Sequence, residues 1–167
     1  MNRVNKNEEY VKYILDNLRE EDRIECLDSK GENYKEVILK EIMETDFDCL
    51  IGEDSGKPIV MGGVWQTDIN YSDVGCVWLL STDEVVKHQV SLLRHLKREF
   101  EKYDEQYYIT CNYIHDSNIV ARRWLEWIGF KFEDIKGVPK KKNFTFFYRI
   151  NPKMKNMKGL NQCVILG

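Results

Sequence analysis

The sequence predicts a mixed α/β domain, one central mixed β-sheet with helices on both faces, and three observations carry that prediction. Apolar residues recur at helical spacing in four separate stretches. Between them lie short apolar runs bounded by turn residues, the signature of strands. The two patterns alternate along the chain as helix, helix, strands, helix, strand, helix, strand, strand, which fits a mixed sheet rather than a doubly wound parallel one. A chain of 167 residues can place about 70% of its unfolded surface in a single core. Residues 1–150 are read as that domain and residues 151–167, with Pro152 and no strong period, as a tail.

The first helix is read over Glu8–Glu21, where Tyr10, Val11, Ile14, Leu15 and Leu18 fall on one face and Asn7 is placed to cap. A second spans Tyr34–Thr45, with Val37, Ile38, Leu39 and Ile42 apolar and Asn33 as its cap. The runs FDCLIGE and IVMGGVWQ, separated by Asp54-Ser55-Gly56-Lys57-Pro58, read as a β-hairpin. The pair Gly62-Gly63 inside the second run marks a bulge or a close backbone approach. After a polar loop, VGCVWLL is apolar on both faces, as a central strand must be. Ser81 or Thr82 then caps a long helix over Asp83–Tyr103, with Val86, Val90, Leu93, Leu96 and Phe100 on one face. YYITCNY is the next strand, and Asp116 or Ser117 caps a helix that ends at Gly129 as a left-handed C′ residue. FKFEDI and FTFFYRI close the domain as an antiparallel pair.

Composition narrows the function classes. Hydrophobic residues at 43% with 32% charged make a globular chain, and no apolar run is long enough to span a membrane. The start of the chain is broken by Lys6, Glu8, Glu9 and Lys12, so no secretory leader is expected. Five widely spaced cysteines, never in C-x-x-C, argue against a disulfide frame or a zinc knuckle and read mostly as small core residues. His88 and His95 lie seven apart, two turns along one helical face, but no further ligand at suitable spacing completes a metal site, so none is expected. Trp124 and Trp127, three apart on one helix face, read as core.

Charge is unevenly placed. All 28 acidic residues lie at or before Asp134, giving that stretch a net charge of −11, and eight lysines and arginines follow it for +8. Such a basic end, including Lys140-Lys141-Lys142, suits nucleic acid, an acidic protein surface, or the chain's own acidic body.

The pattern N-x-x-A-x-x-W-L-x-x-x-G-F, carried by Asn118, Ala121, Trp124, Leu125, Gly129 and Phe130, resembles the last block of the GNAT superfamily of N-acetyltransferases. The element order is similar to that fold too. More narrowly, NLREEDRIEC, VWLLSTDEVVKH and NYIHDSNIVARRWLEWIGFKF look like small GNAT-like proteins of short-tailed bacteriophages, similar to the small T7-type internal virion protein, a morphogenesis factor. The likeness spans about residues 8–150.

No cofactor is firmly implied, but an acetyl-CoA site of that superfamily needs a glycine-bearing phosphate loop after the central strand, where backbone N–H groups close on pyrophosphate. This chain has Ser81-Thr82-Asp83-Glu84-Val85-Val86-Lys87-His88 there, without glycine and with two acids in the first turn. The family's strand carboxylate has no counterpart in VGCVWLL, and its acidic tyrosine is replaced by Leu125. His115 and Asp116 are the substitute catalytic candidates, with Tyr113 close by in sequence. Ser81, Thr82, Lys87, His88, Asn112 and Asn118 are the cofactor-binding candidates if acetyl-CoA is bound. The leading expectation is therefore a virion-associated or morphogenesis protein on a GNAT-like scaffold with a degenerate acetyl-CoA site, acting through other phage structural or assembly proteins or through a second copy of itself. It would work in the host cytoplasm during infection or in the virion. The alternative is an active acetyl-CoA-dependent N-acetyltransferase modifying an amine on a host or phage macromolecule. The apolar stretch Cys163, Val164, Ile165 and Leu166 is the candidate docking segment for a partner. Gly167 follows it, which removes the prenylation-box reading.

Overall fold

The computed structural model of the chain describes residues 2–44, 48–66 and 73–154. In order it contains β1 (Asn2–Asn5), α1 (Glu8–Asp16), α2 (Glu20–Lys30), α3 (Tyr34–Glu44), β2 (Asp48–Asp54), β3 (Lys57–Gln66) and β4 (Val74–Ser81). A 3-10 segment (Asp83–His88), α4 (Gln89–Tyr103), β5 (Ile109–His115), α5 (Ile119–Ile128) and β6 (Phe144–Ile150) follow. The strands form one six-stranded sheet in sequence order, β1 to β6. β1–β2, β2–β3 and β5–β6 are antiparallel and β4–β5 is parallel, so the sheet is mixed, as expected. The chain divides into two compact units, Met1–Val64 with Trp78–Arg94, and Trp65–Val77 with His95–Gly167.

In the first unit, Val11, Ile14 and Leu15 of α1 bury the face read from sequence, and α3 buries Tyr34, Ile38 and Ile42 while Val37, read as apolar there, is exposed. They pack with Cys26, Cys49, Ile51, Met61 and Leu80. Three consecutive β3 residues, Ile59, Val60 and Met61, are buried, which requires cover on both faces of that strand. Asn7 caps α1 as expected, its side chain accepting from Tyr10 N at 2.8 Å. The β2–β3 hairpin turns at Ser55-Gly56, both with positive φ (53° and 80°), the type I′ geometry that matches strand twist. Within the glycine pair, Gly62 serves close approach, and the irregularity of this hairpin lies elsewhere. A Cβ on Gly62 would sit 2.7 Å from Trp78 O, whereas the register shift lies between Gly52 and Glu53.

Several expectations are corrected here. The single helix over Glu8–Glu21 is two helices, because the chain leaves α1 after Asp16, Leu18 bridges Thr82, and Arg19 restarts it as α2. β1 escaped the sequence reading because three of its four residues, Asn2, Arg3 and Asn5, are polar and exposed, with only Val4 apolar. The helix expected over Asp83–Tyr103 is a 3-10 segment followed by α4, so His88 and His95 do not share one continuous α-helix. Neither Ser81 nor Thr82 caps it. Thr82 Oγ1 donates to Ile59 O instead (3.3 Å), and Val86 and Val90 are exposed while Val85 and Leu92 are buried. The 3-10 turn shifts the helical phase, which moves the buried stripe by about one residue.

In the second unit β5 pairs with β6 along its whole length, Ile109 opposite Ile150 through His115 opposite Phe144. Rings fill the core: Phe100 meets Tyr103 and Phe130 edge-on, and Phe130 meets Phe147. Arg149 forms a two-pronged ion pair with Asp104 (2.5 and 2.8 Å) under the Phe100 ring. The cap of α5 is Asn118, not Asp116 or Ser117. Its Oδ1 accepts from Ala121 N, and Gly129 closes the helix in the left-handed region (φ 104°), as expected. FKFEDI is not a strand, since only Lys131 bridges Tyr148. Trp124 is buried, but Trp127, expected in the core, is 58% exposed. Asn151 is buried, its amide donating to Asp104 O and Tyr107 O, and Pro152–Met154 forms a 3-10 turn.

Candidate functional site

The candidate residues fall on both units. In the first, β4 ends in a buried polar knot. Asp22 Oδ2 accepts from Ser81 N (2.9 Å) and Ser81 Oγ (2.8 Å), while Arg19 Nη2 reaches Asp22 Oδ1 at 2.6 Å. Arg19 N in turn donates to Ser81 O at 2.9 Å. Arg19 and Asp22 are each only 2% exposed and Ser81 is fully buried, so this is an internal ion pair sewn to a strand end. Thr82 N donates to Ile59 O, and Val85 N to Thr82 O. The amides of Ser81, Thr82 and Val85 are therefore already committed.

Beyond them the 3-10 segment carries two acids, Asp83 and Glu84, against the single ammonium of Lys87. Glu84 accepts from Lys87 (2.9 Å), a bond that holds its carboxyl below the usual carboxylate range, and His88 Nε2 lies 3.7 Å from Asp54 Oδ2 in the hairpin turn. Both side chains expected to meet phosphate, Lys87 and His88, thus have acidic neighbours. Asp83 is exposed.

In the second unit the β4–β5 ladder holds for three register pairs, ending at Cys76 opposite Cys111. The next residue on β5, Asn112, sends its side-chain amide to Val77 O (2.7 Å), and its Oδ1 accepts from Tyr113 N (2.8 Å). One amide N–H of Asn112 is left over from those bonds. His115 Nδ1 lies 2.7 Å from Ser117 Oγ and also accepts from Ser117 N (3.3 Å). Acceptance from a backbone N–H assigns the ring proton to Nε2, which is buried. Asp116 turns elsewhere, its Oδ1 accepting from Thr145 Oγ1 (2.6 Å), so His115 and Asp116 take different partners. Tyr113 donates to Pro139 O (2.6 Å) beneath the Lys141 ammonium, and burial is the main cause that raises its phenol above the ordinary tyrosine value.

Ser81 with Thr82 in one unit, and His115, Asp116 and Asn118 in the other, are thus placed at strand and helix ends, while Asn112 lies in the middle of β5. Lys87 and His88 lie in the 3-10 segment. Cys163, Val164, Ile165 and Leu166 lie outside the described residues. Sequence reasoning missed Asp22 and Arg19, whose only signal was a charged pair three apart following Leu18. It also missed Ser117 as the partner of His115. Among the described residues no three His, Cys, Asp or Glu side chains gather as a metal site, and no helix is long and apolar enough to cross a membrane.

The fold is that of the GNAT acetyltransferases. The chain is similar over 90% of its length to 95% of spermidine N-acetyltransferase from Vibrio cholerae, solved with CoA and spermine, at a TM-score of 0.63 and 12% identity. Over 89% of its length it matches 98% of a PaiA N-acetyltransferase from Thermoplasma acidophilum in complex with coenzyme A (TM-score 0.61, 14% identity). A ribosomal-protein-alanine N-acetyltransferase from Brucella melitensis is covered to 99% by 90% of this chain (TM-score 0.58, 12% identity). No family model and no curated protein sequence matches the chain.

Proposed function

We propose that the chain is an acetyl-CoA-dependent N-acetyltransferase of the GNAT class, acting on an amine of a macromolecule. The observation that carries this reading is the sheet, a six-stranded mixed sheet whose parallel β4–β5 pair is laddered for three residue pairs, on a fold matched along its length by acetyltransferases solved with CoA. Acetyl-CoA, when bound, supplies an activated thioester. In the second unit β5 suits such a ligand, since Asn112 keeps an amide donor beyond its bond to Val77 O. In the first unit, taken by itself, Lys87 carries the ammonium that a phosphate would meet. The chain's residues do not suit a glycine loop, because the Ser81 and Thr82 amides are taken. Phosphate recognition here rests on side-chain cations, so affinity for CoA should fall steeply with salt.

Proton handling falls to β5 and the turn after it. Ser117 Oγ is exposed and 2.7 Å from His115 Nδ1, so it can take a proton from an attacking ammonium while passing its own to the imidazole. Tyr113, its phenol raised by burial, retains a proton for a leaving thiolate. Asp116 holds the turn against Thr145, and Asn118 holds the start of α5.

A second reading is favoured by the committed amides and the acids Asp83 and Glu84: a virion-associated or morphogenesis protein of short-tailed phage type that keeps the scaffold and works by protein contacts. Thermal unfolding with and without CoA separates the two. A ligand at about 100 times its Kd adds ~2.7 kcal/mol. For a chain of this size that is a rise in Tm of about 5–11 °C. A rise that disappears in high salt supports the enzyme; an unchanged Tm at millimolar CoA leaves the scaffold reading.

A further inference from the structure

We propose that Cys76 and Cys111 are a redox-active thiol pair, a modification site in which a hydroperoxide drives a reversible cross-strand disulfide between β4 and β5. The two cysteines are register partners in the parallel ladder, and both are thiols in this structure. Neighbouring strands lie about 4.7–4.9 Å apart, inside the ~4.4–6.8 Å Cα range a disulfide spans. Register partners project to the same face, and that face is the one where Val74, Ile109, Cys111 and Tyr148 form a cluster, since Cys76 is two residues beyond Val74. Theirs is also the last rung, beyond which the described ladder stops, so β4 can twist there to bring the Cβ atoms together.

The other described thiols are built differently. Cys26 and Cys49 are buried in the helical core of the first unit, and burial pushes the Cys26 thiol up to about 12, which keeps it protonated and inert. Cys76 is half-buried and Cys111 buried, so the more exposed residue takes the attacking role and the sheltered one the resolving role. The Cys76 thiolate attacks the peroxide, forming an S–O bond as the O–O bond breaks, and water or an alcohol leaves. The Cys111 sulfur then attacks the Cys76 sulfenic acid; an S–S bond forms, the S–O bond breaks, and water leaves with the thiol proton. The two sulfurs have together given two electrons to the peroxide. A bond across a parallel rung is strained, and strained disulfides are the easily reduced ones, so it reverts with a dithiol reductant.

The full chain carrying Cys163→Ser, so that the tail thiol cannot exchange, is treated with hydrogen peroxide, alkylated, digested and mapped by mass spectrometry. The expected product is a peptide linked between Cys76 and Cys111, removed by dithiothreitol and lost in Cys76→Ser and in Cys111→Ser. The reduced chain should also take up one equivalent of phenylarsine oxide, a probe that bridges adjacent thiols, and lose that uptake in either variant. Stepwise over-oxidation of Cys76 without a linked peptide overturns the proposal, as does arsenical uptake unchanged in Cys76→Ser. Neither readout depends on acetyl transfer, so the pair stands or falls apart from the proposed enzyme.

Discussion

Asp22 shows how much one buried residue can decide. Its carboxylate holds Arg19 and both the amide and hydroxyl of Ser81, all out of water. Asp22→Ala would take the carboxylate from a buried guanidinium and leave the buried Ser81 amide and hydroxyl without this acceptor, and should cost ~3–5 kcal/mol in denaturant unfolding. Gly62→Ala tests sterics in the same unit, because its Cβ would meet Trp78 O at 2.7 Å on backbone that cannot swing away. About 1–3 kcal/mol of destabilisation is expected, read as a lower denaturant midpoint at unchanged slope. Titration gives a third test. Cys26 and Tyr148 are each pushed up to about 12, Cys26 chiefly by burial and Tyr148 by burial and then by its bond to Glu133. An unfolded chain releases these protons at about 8.5 and about 10. The fold therefore keeps protons the unfolded chain gives up, so stability should be full below about pH 8.5 and fall from there to about pH 12. Tyr148→Phe should shallow that fall, as followed by urea melts across the range. Asn7 and Gly129 were legible in sequence because a cap and a left-handed C′ are local facts. Asp22 was not, since its partner Ser81 lies 59 residues away.

Elements were legible where one apolar stripe meets one core. α1, α3, α5 and the β2–β3 hairpin follow from spacing and turn chemistry, whereas α2 does not, because Cys26 is its only buried apolar residue. The break between the 3-10 segment and α4 was also hidden, as Val85, Val86 and Val90 suit either phase until the burial of Val85 selects one. At α5 structure and function make different predictions. Asn118→Ala removes the acceptor for Ala121 N and should cost about 1 kcal/mol through capping alone. Gly129→Ala forces a side chain into φ 104° and should cost about 1 kcal/mol too. If acetyl transfer is found, Asn118→Asp, which keeps the acceptor oxygen, should restore stability. Turnover that stays low in that stable variant would give Asn118 a role beyond its cap.

At the scale of the whole chain, the fold class was legible because helical and strand periods alternate, while the use made of the cofactor region was not, because hydrogen bonds of the Ser81 and Thr82 amides leave no trace in sequence. The boundary of the fold can be tested directly. The tail was read as starting at residue 151, yet Asn151 is 1% exposed, donates to Asp104 O and Tyr107 O, and accepts from Lys153 N. A chain ending after Met154 keeps every one of these bonds and loses Lys155, Lys158 and the Cys163–Leu166 stretch. The difference in unfolding free energy between that chain and the full one measures what residues 155–167 add. A chain ending after Ile150 would strand the Asp104 and Tyr107 carbonyls and should be weaker by at least ~1 kcal/mol. The cut after Met154 also divides the functional readings. A Tm rise with CoA that survives it places cofactor binding within the folded residues, while loss of binding to a virion or assembly protein on the same cut, with Tm unchanged, assigns that contact to the tail.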